Sequence, residues 1–194
     1  MTTLETDTPP LVPEEGAAAV GPDGPVETVA AVPTNFTTGP WSMYYHDTQD
    51  QSWTEESYKK VATFNDYKTL WSAVASIGTE KFNNGMWFFM RDPHPPLWEN
   101  HMNIRGGSYC IKVTQNLSFE IFQRYMAAAT LDQISKRPVE NKIVGISISP
   151  KKGFHIIKIW NKDGNHGDIR DLALLDETIK AAEVLYRPNV NQRM

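Results

Sequence analysis

The segment that decides the fold spans residues 143–160 and reads IVGISISPKKGFHIIKIW. Its two arms, 143–149 and 155–160, are rich in β-branched residues, which favour strands. Between them lies Pro150-Lys151-Lys152-Gly153, a composition typical of a tight turn. We therefore predict an antiparallel β-hairpin with a basic tip. The two lysines at that tip indicate either an anion-binding site or an ordinary solvated turn.

Strand-like and helix-like segments alternate on both sides of this hairpin. Four short segments rich in aromatic or β-branched side chains are expected to form strands: residues 41–45, 59–64, 86–90 and 108–113. Strands and helices in this order indicate an α+β domain, a curved antiparallel sheet with about three helices packed on one face. Apolar residues at three- and four-residue steps predict these helices from Asn65 to Gly78, from Ser118 to Ala129 and from about Ile169 to Tyr186.

The first 33 residues differ from the rest of the chain in composition. They carry six carboxylates and no Lys or Arg, so a net charge of −4 for the whole chain leaves about +2 for the remainder. A segment this polar buries too little apolar surface to offset the entropy lost on ordering. We expect residues 1–33 to form a disordered acidic Pro/Ala-rich tail, either a solubilising extension or a regulatory one. Residues 34–188 are then expected to form one domain, followed by a short tail at 189–194.

Several classes of protein are disfavoured by the sequence. The single cysteine, Cys110, cannot form an internal disulfide and is expected to be a small core residue, and no apolar run is long enough to cross a bilayer. The five histidines have no metal-ligand spacing with Cys110, and we find no nucleophile elbow or phosphate-binding glycine loop. We expect a monomer of the cytoplasm or nucleus, without membrane anchor, metal or cofactor, that is not an enzyme.

Three of the tryptophans occupy positions that suggest a ligand. Trp53 lies in a polar stretch without apolar neighbours, and Trp98 follows the proline-rich residues 93–96 and precedes Glu99. Prolines stiffen that stretch, so it can present Trp98 as a fixed stacking surface. Trp160 ends the second arm of the hairpin. Each tryptophan alone is more often a core residue, but exposed indoles beside a carboxylate suggest a slot for a flat, cationic base.

A motif around Trp98 is similar to one in a known family. Pro96-Leu97-Trp98-Glu99, with Arg105-Gly106-Gly107 six residues on, resembles a segment of the translation initiation factor 4E family, which binds the mRNA cap. The resemblance covers roughly residues 35–187. Trp53 stands where the family has its first cap-stacking tryptophan, and Trp71 matches the tryptophan of its partner-binding helix.

The resemblance implies a slot for the 7-methylguanosine 5′ cap on the concave face of the sheet, with the helices on the convex face. In that slot Trp53 and Trp98 would stack on the methylated base. Glu99 would read the guanine edge, and Trp160 would contact the methyl group. The phosphates would be held by basic residues: Lys151, assisted by Lys152, Lys158 or Arg170.

The resemblance also implies partners. Capped mRNA or cap analogues would occupy the slot. A scaffold protein of the 4G type, or a 4E-binding regulator, would bind a groove formed by Trp71, Tyr67 and Phe36. The expected function is to capture capped mRNA and recruit it for translation initiation. The alternatives are a cap-binding translational repressor and a scaffold-type interaction domain with a degenerate cap slot.

The sequence departs from the family pattern at two places. Ile156 stands where the family has a second phosphate-contacting lysine, and Asn35-Phe36-Thr37 replaces the family's His-Pro-Leu entry to the first strand. These departures indicate a divergent member, and we expect it to belong to a protist branch such as the kinetoplastids.

Overall fold

A seven-stranded sheet forms the frame of the domain. The structure, a computed structural model, describes residues 34–190. The expected acidic tail, 1–33, and residues 191–194 of the expected C-terminal tail lie outside the described residues. Neighbouring strands are antiparallel throughout, in the order β2-β1-β3-β5-β6-β4-β7. The strands are β1 (Trp41–His46), β2 (Lys59–Phe64), β3 (Met86–Arg91), β4 (Gly107–Thr114), β5 (Ile143–Lys151), β6 (Phe154–Asn161) and β7 (Leu185–Pro188).

The predicted hairpin lies within this sheet and is confirmed. Its arms, β5 and β6, pair along their whole length, and Lys151 is the partner of Phe154 at the tip. Lys152 and Gly153 make the turn, in which Gly153 has a φ of +82°. Glycine adopts a positive φ readily because it has no Cβ to clash with the backbone.

Side chains along each strand alternate between two faces of the sheet, as strand geometry requires. We call the face that packs against the helices the helix face, and the opposite one the open face. On β3, Trp87 and Phe89 belong to the main core on the helix face, whereas Phe88 and Met90 lie on the open face. The prediction that Trp87 is a core residue is confirmed.

Two α-helices, α1 (Tyr67–Asn84) and α2 (Gln115–Ala129), pack on the helix face within the described part of the chain. The start of α1 is set by Asp66, whose carboxylate accepts a hydrogen bond from the Thr69 N–H. Gly78, the predicted end of this helix, interrupts it with a φ of +71°, and helical backbone then resumes. Neither helix is long and apolar enough to cross a membrane.

The third predicted helix, from Ile169 to Tyr186, is wrong. That segment forms short 3-10 turns and then β7. Asp168 and Asp176 each accept a hydrogen bond from the backbone N–H two residues ahead, a local bond that competes with helix formation. The backbone is also committed elsewhere, because the Lys136 N–H donates to the Asp171 carbonyl. The sheet therefore carries two α-helices where we expected about three.

Asn161, the last residue of β6, ties this irregular segment to the sheet. Its Oδ1 accepts hydrogen bonds from the Gly107 N–H and the Tyr186 hydroxyl. Its Nδ2 donates to Oδ1 of Asn141 and to the carbonyl of His166. Asn161 is 1% exposed, so water cannot replace these bonds.

Replacing this amide is expected to destabilise the domain. Asn161→Ala leaves several buried polar groups without partners and should lower the free energy of unfolding by about 3 kcal/mol. Urea denaturation measures the loss. Asn165→Ala, at an exposed position of the same segment, is the control and should change stability by less than about 0.5 kcal/mol. Equal effects of the two substitutions would show that the hydrogen bonds of Asn161 do not stabilise the domain.

Candidate functional site

A cavity of about 880 Å³ lies on the open face of the sheet. Its floor comes from β3 to β7, and its rim comes from two loops, 47–58 and 92–106. A second cavity, of about 630 Å³, lies at the sheet edge among β1, β2 and the end of α1 and is mostly apolar. The first cavity combines aromatic, acidic and basic side chains, which makes it the candidate site. Six of the predicted site residues line this first cavity: Trp53, Trp98, Glu99, Lys151, Lys158 and Trp160.

Trp53 lies on the first loop and is 53% exposed. One face of its indole is covered by His46, whose ring lies parallel to it at a centroid distance of 4.5 Å. Tyr58 packs near the indole at 6.4 Å and also makes an edge-on contact with Phe88 on the sheet. Trp53 is therefore supported from behind by packed rings and borders the cavity.

The second loop presents Trp98 and Glu99. It is held by Asn103, which is 1% exposed and whose Nδ2 donates to the carbonyls of Pro95 and Leu97. Oδ1 of Asn103 accepts a hydrogen bond from Nδ1 of His94. Burial lowers the pKa of His94 and so favours its neutral form. A neutral imidazole carries one N–H, which is enough for this hydrogen bond. These internal bonds stiffen a loop whose Trp98 remains 46% exposed.

Both loops contribute side chains to the same cavity. Burial raises the pKa of Tyr58 to about 12, and the negative charge of Glu99 adds to that rise. Tyr58 on the first loop and Glu99 on the second both line the cavity. The structure thus brings Trp53, Trp98 and Glu99 to one cavity.

Trp160 contributes to the floor of the cavity from β6. It is 6% exposed, and its Nε1 donates a hydrogen bond to Oγ of Ser147 at 3.0 Å. Its ring lies edge-on to Phe88. Because its polar atom already has a partner, Trp160 offers mainly an apolar edge to a ligand.

Basic side chains line the part of the cavity away from the two tryptophans. Lys151 and Lys158 were predicted, and Lys112 and Arg187 were missed. Lys112 shares the open face of β4 with Cys110, and a strict two-residue alternation along 107–114 would have identified it. Arg187 was missed because it was expected to follow the end of a helix, whereas it lies in β7.

Two further observations differ from the sequence analysis. Lys152 and Arg170 do not line the cavity: Lys152 lies in the hairpin turn, and the guanidinium of Arg170 pairs with Asp168 in a segment bonded to residues after α2. Cys110 is a free thiol on the cavity wall and not a core residue. Ile156 lines the cavity, as its expected phosphate-contact position requires. Within residues 34–190, no group of His, Cys, Asp or Glu side chains could hold a metal ion.

The predicted partner-binding residues lie on the helix side of the sheet. Phe36 is 7% exposed and packs edge-on against Tyr67, so it belongs to the core, and its assignment to an open groove is wrong. The Tyr67 hydroxyl contacts Oγ1 of Thr130. Tyr67 and Trp71 are half-buried and pack against the main core.

Comparison with known proteins matches residues 37–191 to the family model described as eukaryotic initiation factor 4E. Translation initiation factor 4E-1 of Caenorhabditis elegans is 27% identical over 151 residues, which cover 73% of this chain and 70% of the relative. Initiation factor NCBP of Arabidopsis thaliana is 25% identical over 128 residues, which cover 65% of this chain and 56% of the relative. The chain therefore spans between about half and three quarters of the length of these relatives.

Solved structures share the fold. One is Ascaris suum eIF4E-3 in complex with m7G cap, with a TM-score of 0.65 and 17% identity over 83% of this chain and 94% of the other. Another is C. elegans eIF4E-3 with the 4E-binding protein Mextli and a cap analog, with a TM-score of 0.64 and 16% identity over 80% of this chain and 92% of the other.

Proposed function

This chain belongs to the eukaryotic initiation factor 4E family, and we propose that it binds the 7-methylguanosine 5′ cap of mRNA and recruits capped mRNA for translation initiation through a scaffold protein. The observation that carries the proposal is the convergence of Trp53, Trp98 and Glu99 on one cavity of the open face. The family's relatives have been solved with cap and with cap analog.

Trp53 and Trp98 supply the stacking surfaces. Methylation at N7 gives guanine a positive charge, and each indole face attracts a cation with about 0.5 to 2 kcal/mol. Stacking on an aromatic ring adds about 1–3 kcal/mol per base but tolerates any base. The two tryptophans therefore provide affinity and a preference for the methylated ring.

Glu99 supplies the recognition of guanine. A carboxylate accepts hydrogen bonds only, and the guanine edge offers a ring N–H and an exocyclic amine side by side. Adenine lacks this pair of donors on the same edge. The charge-assisted pair is stronger than neutral hydrogen bonds, so it discriminates between the two purines.

The phosphates are held by Lys151 and Lys158, with Lys112 and Arg187 as further cations of the cavity. Lys112 is positioned over the Phe154 ring at 4.6 Å, which directs its ammonium group along the wall. The isoleucine at position 156 supports a second candidate, the interaction domain with a degenerate slot, because it removes one cation from this wall. We favour cap binding because four cations remain.

A partner binds on the opposite side, at Tyr67 and Trp71 of α1. Both are aromatic and half-buried on the helix face, as expected of anchors for an amphipathic helix. A schistosome eIF4E with 19% identity to this chain has been solved with m7GpppG and 4E-BP. A scaffold makes the protein an activator of translation and a regulator makes it a repressor, so the partner decides between these functions.

Our first functional prediction concerns Glu99. Wild-type protein should be retained on a cap-analogue resin and released by 7-methyl-GTP but not by GTP. Glu99→Gln keeps the shape but loses the charge, and should weaken 7-methyl-GTP binding by about 2 kcal/mol, roughly thirtyfold, in a tryptophan-quenching titration. Glu56→Gln, on the other loop and outside the cavity lining, is the matched control. Unchanged affinity in Glu99→Gln would rule out the assignment.

Two neighbouring lysines provide the second functional prediction. Lys151→Ala should weaken binding of 7-methyl-GTP more than that of 7-methylguanosine, because its target is phosphate, and should reduce the salt slope by about one unit. Lys152→Ala should leave both affinities unchanged. The prediction fails if the two substitutions have equal effects, or if Lys151→Ala weakens the nucleoside and the triphosphate alike.

The third functional prediction separates the two surfaces. Trp71→Ala should weaken the binding of a co-purifying scaffold or regulator by about 2 kcal/mol or more. Retention on the cap resin should stay intact. Affinity purification of both variants over the cap resin measures this. Ser72→Ala, at an exposed position of the same helix, is the control and should change neither partner binding nor cap retention. If Trp71→Ala abolishes cap retention, Trp71 acts as a core residue and the partner surface lies elsewhere.

A further inference from the structure

The register of the sheet arranges the cations of the cavity floor in a fixed order. Every second residue of β6, from Phe154 to Trp160, lines the cavity. Lys151 of β5 is the partner of Phe154, and Lys112 of β4 is the partner of Ile156. These two lysines therefore lie on either side of β6, near the hairpin tip, and we call them the outer lysines. Neither Lys112 nor Phe154 was among the residues that the family resemblance implied.

An aromatic ring positions the ammonium group of Lys112. Its Nζ lies over the face of Phe154, 4.6 Å from the ring centroid. Phe154 is not the direct partner of Lys112 but lies one step nearer the hairpin tip, opposite Thr114. The Lys112 side chain is therefore directed toward the tip, where Lys151 pairs with the same phenylalanine. The ring attracts the cation, so the ammonium group is in place before an anion binds.

The carboxylates of the described chain leave the cations of the floor free. Among the ion pairs of residues 34–190, none includes Lys112, Lys151 or Lys158. Glu183 also lines the cavity, but it pairs with Lys180 at 3.8 Å. Like charges repel one another across the floor, and an anion between them replaces that repulsion by attraction. The arrangement therefore suits a ligand with several negative charges.

Lys158 occupies a different place from the outer lysines. Along β6 it is one cavity-lining residue away from Trp160, the residue expected at the methyl group, whereas Phe154 is three away. Alternate residues of a strand are about 7 Å apart. Lys158 thus lies near the nucleoside end of a ligand in the slot, and the outer lysines lie near the far end of its phosphate chain.

We infer that Lys112, positioned by Phe154, makes the slot sensitive to the length of the phosphate chain. With Lys151 it binds the outer phosphates of the cap, whereas Lys158 binds the phosphate next to the methylated nucleoside. Each contact is a charge-assisted hydrogen bond from an ammonium group to a phosphate oxygen. A monophosphate reaches Lys158 alone, and a triphosphate reaches all three lysines. This inference rests on the proposed function.

Substitutions of single lysines separate these contacts. Lys112→Met removes the charge and keeps most of the side-chain length. In a tryptophan-quenching titration it should weaken 7-methyl-GTP binding about tenfold and leave 7-methyl-GMP binding within about twofold of the wild type. Lys158→Met should weaken both ligands by a similar factor. Lys60→Met is the matched control and should change neither affinity, because Lys60 also lies over a ring, that of Tyr44 at 5.9 Å, but outside the cavity lining.

A second set of variants tests whether Phe154 acts through Lys112. Phe154→Leu removes the aromatic face and keeps an apolar side chain, so it should weaken 7-methyl-GTP binding about threefold and leave 7-methyl-GMP binding unchanged. In the double variant with Lys112→Met this additional loss should disappear, because no ammonium group remains to be positioned. A residue that only supports the fold would cause the same loss in both backgrounds. Lys112→Arg keeps the charge and should restore most of the affinity for 7-methyl-GTP.

A ligand without a base distinguishes this inference from the proposed function. Inorganic tripolyphosphate should shift the backbone amide resonances of Lys112 and Lys151 in the wild type. If these resonances shift but no methylated nucleotide binds, the proposed function fails and the assignment of the outer lysines stands. The inference is overturned if Lys112→Met weakens 7-methyl-GMP and 7-methyl-GTP by the same factor, if it leaves 7-methyl-GTP binding unchanged, or if tripolyphosphate shifts neither resonance.

Discussion

The alternation of side chains along each strand is the constraint on which the rest of this structure depends. Every central strand must place core side chains on the helix face and cavity-lining side chains on the open face. On β4, Tyr109 and Ile111 are buried beneath the helices, while Cys110 and Lys112 line the cavity. A shift of one residue in register would exchange these roles. The paired register of the sheet therefore positions the floor of the site.

The rim of the site depends on buried polar residues and not on the sheet alone. Asn103 closes the loop that carries Trp98, and His46 closes the loop before Trp53, each through hydrogen bonds to backbone carbonyls. Exposed indoles would otherwise be free to collapse onto apolar surface. Holding them apart by rigid loops lowers the entropy lost when a base enters between them.

Much of the fold and of the site could be predicted from local sequence. The hairpin and the core position of Trp87 followed from alternation and composition, and the tryptophan–carboxylate pair followed from a specific motif. What failed depended on contacts distant in sequence. The segment after Asp168 has a helix-like pattern, but its aspartates and its backbone bonds to residues after α2 prevent a helix. That error also led us to miss Arg187. The support that His46 gives to the Trp53 indole was missed as well, because the fold and not a sequence pattern brings the two rings together.

The central claim is that a methylated guanine binds between Trp53 and Trp98 with its edge at Glu99. A crystal structure of this protein with 7-methyl-GTP tests it most directly. The account predicts the base stacked between the two indoles, its N–H groups donating to the Glu99 carboxylate, and the phosphates against Lys151 and Lys158. Density for the base at any other position, or bound only at the apolar cavity between β2 and α1, would contradict it.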